Sequence, residues 1–104
     1  MANKTPIKGK IKKHFAENTT NKPHLDHPDA KLRRKENFPV GSACTLEPAE
    51  FVGNVLILMA ANNKGDIDYF DSRELELLNP SVLYTNSPEL FKYKEDFKMS
   101  FNIQ

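Results

Sequence analysis

His24, Asp26, His27 and Asp29 crowd into "HLDHPDAKLRRKENF" (24–38), and imidazole nitrogens with carboxylates are donor types that zinc accepts. A zinc site needs three or four donors on a rigid frame. These four lie around Pro23 and Pro28, and only His14 and Cys44 remain to complete a set, with no spacing that forces convergence. The stretch therefore reads as a solvated turn opening a helix over 27–36, with no metal and no cofactor. Pro28 suits the first helical turn, Asp29 the positive end of the helix, and Arg33, Arg34 and Lys35 its negative end.

A second set is acidic. "NNKGDIDYFDSRELE" gathers Asp66, Asp68, Asp71, Glu74 and Glu76, a carboxylate density suited to Ca²⁺ or Mg²⁺. Gly65 precedes these aspartates, so the ligand order of an EF-hand loop is not met. The expectation is an acidic, solvated turn and helix start, a patch able to receive the basic segment of a neighbouring copy. Cys44 would need His14, His24 or His27 as a base to act as a nucleophile. Beside Ala43 and Leu46 in a strand, it reads instead as a small buried apolar residue. No nucleophile motif, oxyanion donor set or phosphate loop accompanies these groups, so the expectation is a protein that is not an enzyme.

Charge distribution is more informative than net charge. The 104 residues carry 15 Lys and Arg against 14 Asp and Glu, for a net charge of +1. Residues 1–36 hold ten cations and four acids, or +6, and residues 37–104 hold five and ten, or −5. The split marks a basic arm, 1–36, before an acidic α+β domain, 37–104. Lys8, Lys10, Lys12, Lys13, Arg33, Arg34 and Lys35 are the candidate contacts to a protein partner, to copies of the same chain, or to phosphates. Phe15 is the one aromatic residue before Phe38, too few for a base-stacking platform. The leading expectation is a structural component that docks through the arm within a larger complex, such as a viral particle or ribonucleoprotein. A stand-alone nucleic-acid-binding regulator is the alternative, and a small enzyme or metal-binding protein comes third.

The elements that must position these groups follow from periodicity. Ile7, Ile11 and Phe15 share a helical face, but Pro6 and Gly9 interrupt it, which favours an extended arm ordered by a partner. Residues 40–46 and 54–61 read as strands, "EPAEFVG" as the turn between them, and "NNKGD" as a turn before the strand "IDYF". Asp71 and Glu74 form a capping-box pair that would open a helix over 72–78, and "SVLYT" reads as a strand. Ser87 and Pro88 would start a helix through about Lys94, and Phe97, Met99, Phe101 and Ile103 alternate as one face of a terminal strand. The sum is a small, mainly antiparallel sheet with two or three short helices. One cysteine fits a reducing compartment, and no apolar run reaches bilayer length. The expected location is the cytoplasm or a particle assembled there, with no membrane partner.

Overall fold

The computed structural model describes residues 5–88. Five strands form one antiparallel sheet in the order β4-β3-β2-β1-β5: β1 (Ile7–Ile11), β2 (Ala43–Val52), β3 (Val55–Ala61), β4 (Ile67–Asp71) and β5 (Leu75–Leu77). Helix α1 (Pro28–Asn37) lies between β1 and β2, and α2 (Pro80–Asn86) follows β5. The α+β class and the antiparallel sheet agree with the sequence reading. The expected helix over 87–94 and the terminal strand fall outside the described residues.

The extended arm is corrected over its described part. Residues 7–11 are the strand between β2 and β5, pairing Ile7 with Leu46 and Gly9 with both Cys44 and Leu77. Ile7 and Ile11 are four apart, a spacing that fits one face of a helix and equally one face of a strand. The strand wins because Ile7 and Ile11 reach the core with Gly9 between them, while Lys8 and Lys10 face outward. Gly9 is a fitted position and not a helix breaker. A Cβ there would stand 2.6 Å from Leu46 Cδ1 and 2.9 Å from the Glu76 carbonyl oxygen, and the carbonyl belongs to the sheet and cannot swing aside.

Strand β2 runs six residues beyond the expected 46, through "EPAEFV", because a β-bulge between Pro48 and Glu50 absorbs the proline without breaking the pairing to β3. The turn is shorter than expected: Gly53, at φ +64°, and Asn54 alone join β2 to β3. Asp71 does build its capping box with Glu74, yet the helix expected over 72–78 is a single 3₁₀ turn, Ser72–Glu74, after which Leu75–Leu77 pairs with β1. Leu75 and Leu77 both point into the core, a period of two that a helix could not satisfy. The expected strand "SVLYT" lies instead in α2. Pro80 occupies the first helical turn, and Leu83 is buried with Val82 and Tyr84 packed beside it.

The core joins Ile7, Ile11, Phe38, Cys44, Leu46, Leu56, Leu58, Phe70, Leu75, Leu77 and Leu83, so residues before and after position 37 share one interior. Strand β4 is an edge of the sheet, and the chain between β1 and α1 wraps it. Thr19 bonds Asp71, Lys22 lies over Tyr69, His24 meets Asp68, and Arg34 donates to the Tyr69 carbonyl. One of these contacts, Arg34 to the Tyr69 carbonyl, engages the backbone of this edge strand, and the others hold its side chains.

Candidate interaction surface

The positive charge sits on two scaffolds. On β1, Lys8 and Lys10 alternate with core residues and are exposed on the sheet face away from the core. Lys12 and Lys13 follow, also exposed, with their amides both bonded to the Glu74 carbonyl at 2.8 and 3.2 Å. On α1, Arg33 and Lys35 are exposed, whereas Arg34 between them is buried. Among the described residues, none of Lys8, Lys10, Lys12, Lys13, Arg33 or Lys35 makes an ion pair.

Arg34 is therefore removed from the contact set. Its guanidinium grips Glu74 with two bonds, Nη1 to Oε1 at 3.2 Å and Nη2 to Oε2 at 3.0 Å, and stacks over Phe70 at 4.3 Å from the ring centre. Glu74, 1 % exposed, receives two further donors: the Asp71 amide at Oε1 (3.1 Å) and the Phe15 amide at Oε2 (2.8 Å). Four donors on one buried carboxylate satisfy it fully and tie α1, the chain after β1 and the β4–β5 connection together.

The acidic patch is corrected in the same way. Asp71 is fully buried and accepts from the Arg73 amide, from Arg73 Nε and Nη2, and from the Thr19 hydroxyl. Asp68 meets His24 at 3.0 Å, and Asp66 closes the 62–66 turn with the Asn62 side chain. Glu76 remains exposed on β5. Asp71 and Glu74 thus belong to the interior, each paired with an arginine, so neither stands in a patch that a partner could meet.

Phe15, Thr19, Lys22 and Arg73 take part in these contacts, yet nothing in their spacing flags them. Lys13 Nζ and Arg73 Cζ lie 5.2 and 5.3 Å from the centre of the Phe15 ring, so one ring holds two cations. The histidines stay apart: His24 pairs with Asp68, exposed His27 precedes α1, and His14 approaches the Phe38 carbonyl at 2.7 Å. Among the described residues, no three His, Cys, Asp or Glu side chains group as metal ligands. Cys44 is buried, and burial pushes its thiol up to about 11, leaving it protonated and unreactive at neutral pH. A groove of about 660 Å³ opens where β2 outruns β1, its ionisable lining being Glu47 and Glu50, and Lys22 pairs with Glu50. Among the described residues no helix is long and apolar enough to cross a membrane.

Half-buried His14 and buried Asp71 make the fold sensitive to acid. Burial lowers the His14 pKa, the bond to Phe38 opposing and the nearby Arg34 charge adding to the effect. The Phe38 carbonyl can only accept, so Nε2 carries the proton, and protonating buried Nδ1 would create a donor with no partner. For Asp71, burial favours the neutral acid but is outweighed by the Arg73 side chain and amide and the Thr19 hydroxyl, so its pKa is lowered. A histidine lowered on folding loses stability as pH falls from about 6.5 toward its folded value, and a lowered aspartate extends the loss below about 4. Urea midpoints measured from pH 7 to pH 5 are expected to decline, and His14→Gln to flatten that segment while leaving the loss below pH 4.

No family model, curated protein or solved structure matches this chain.

Proposed function

We propose that this protein is a non-catalytic assembly component that docks on an acidic partner within a larger complex through its exposed N-terminal cations. The supporting observation is a set of exposed cations on β1 and just after it. Lys8, Lys10, Lys12, Lys13, Arg33 and Lys35 stand outward without ion pairs among the described residues, whereas Asp71 and Glu74 are engaged by Arg73 and Arg34. What a partner meets along residues 8–13 is more positive than the net charge of +1 suggests, while on α1 exposed Asp29 and Glu36 offset Arg33 and Lys35. Such a surface accelerates encounter and sets orientation, and salt weakens it.

Size-exclusion chromatography of the protein from its native source tests the reading. Elution in a large complex at low salt, lost in about 1 M salt and lost in a Lys8→Glu/Lys10→Glu variant, is the expected result. Elution of the wild type as a free 11.9 kDa chain at low salt would overturn it.

A further inference from the structure

Lys8 and Lys10 stand side by side on the outer face of β1, and exposed Lys12 follows one residue past its end, completing a row. Within β1 the side chains recur every second residue, so the Cα atoms of Lys8 and Lys10 lie about 6.6–6.8 Å apart along the strand. Cross-strand neighbours on the β2 side are small: Thr45 opposite Lys8 and Ala43 opposite Lys10, both exposed. On the β5 side Lys10 faces Glu76, and Glu47 occupies the same sheet face beyond the first lysine. These two acids border the row and leave its open flank toward Ala43 and Thr45. At the far end Lys13 and Arg73 are held together by the Phe15 ring, with exposed Glu17 two residues further on.

We propose that this row seats the phosphodiester backbone of single-stranded nucleic acid, an inference that rests on the docking reading and names its partner. The repeat is the reason. A phosphodiester chain carries one charge on every monomer at regular steps, as the lysines do, whereas an acidic protein surface presents carboxylates irregularly. Protein interfaces also centre on large apolar or aromatic anchors, and the residues flanking this row on the β2 side are alanine and threonine, with exposed Leu78 the large apolar neighbour on the β5 side. Lysine is a compact charge on a flexible stem, suited to phosphate contact without base readout. The half-buried Phe15 ring is already engaged by two cations. Binding therefore follows the backbone and tolerates sequence.

Fluorescence anisotropy of the full chain with a labelled oligothymidylate of about twenty nucleotides tests this, with a duplex and a poly-glutamate of matched length as parallel probes. Over about 50–200 mM salt, log K for the single strand should fall with log salt at about −0.7 per phosphate contacted, or about −3 if Lys8, Lys10, Lys12 and Lys13 each take one. A Lys8→Gln/Lys10→Gln/Lys12→Gln variant, checked for unchanged circular dichroism, should lose about 2 of that slope. Equal or tighter binding of the duplex overturns the single-strand assignment. Equal or tighter binding of poly-glutamate overturns the phosphodiester partner and leaves docking on an acidic protein standing. Single-strand binding unmoved by the triple substitution overturns the seat. Failure of both the oligonucleotide and poly-glutamate to bind removes this inference and the docking reading together.

Discussion

Glu74→Ala is expected to destabilise the fold by about 3–5 kcal/mol, because it leaves the Arg34 guanidinium buried and uncompensated. Both partners of this pair are almost inaccessible, at 6 % and 1 % exposure, so water cannot take over the lost contacts. Two backbone amides, Asp71 and Phe15, lose their acceptor at the same time. The substitution also breaks the capping box that turns the chain from β4 into β5. Chemical denaturation of Glu74→Ala, Arg34→Met and the Arg34→Met/Glu74→Leu double variant separates these contributions. Each single variant should fall well below wild type. The double variant should recover a substantial part, since burying two apolar side chains avoids the desolvation of two charges. A double variant no more stable than the worse single one would show that the amides, and not the charge, dominate.

The second large effect is at Phe70. Its ring is fully buried, meets Phe38 edge-on at 5.3 Å and His14 at 5.8 Å, and supports the Arg34 guanidinium. Phe70→Ala should cost about 3–5 kcal/mol through the lost transfer free energy and the cavity left behind. Domains of this size hold about 5–15 kcal/mol in total, so much of the cooperative transition should disappear. Phe70→Leu keeps most of the volume but not the π face, and its smaller loss, on the order of 1–2 kcal/mol, reads the aromatic and cation–π share. Thermal melts of the two variants check both figures. Equal losses would mean that volume contributes little.

Legibility of the sequence tracked how local each signal was. Helix α1 was readable over 27–36 against the observed Pro28–Asn37, because Pro28, Asp29 and the basic last turn act within the helix itself. Strand β3 and the turn before β4 were readable for the same reason. The errors arose where a distant partner decided the outcome. Ile7 and Ile11 fit two periods, and only their pairing with β2 and β5 selects the strand. Leu75–Leu77 follows a genuine capping signal, but strand β1 captures it before a helix can grow. Charge counting erred similarly. Arg34 looks like its neighbours Arg33 and Lys35, and only the helix face it occupies sends it inward to Glu74. The exposed cations on β1 and α1 were all named from sequence, while the contact of Phe15 with Arg73, made only through space, was not.

The central position of β1 has a consequence for folding order. The first of the five described strands in chain order has both of its neighbours far downstream: Ile7 pairs with Leu46, and Ile11 with Leu75. The β2–β3–β4 meander can form from local contacts, but β1 stays without its second neighbour until residues 75–77 have left the ribosome. Contacts of such separation slow the search for the native state. Until then the lysine-bearing strand keeps at least one edge open, a form that invites edge-to-edge association of nascent chains.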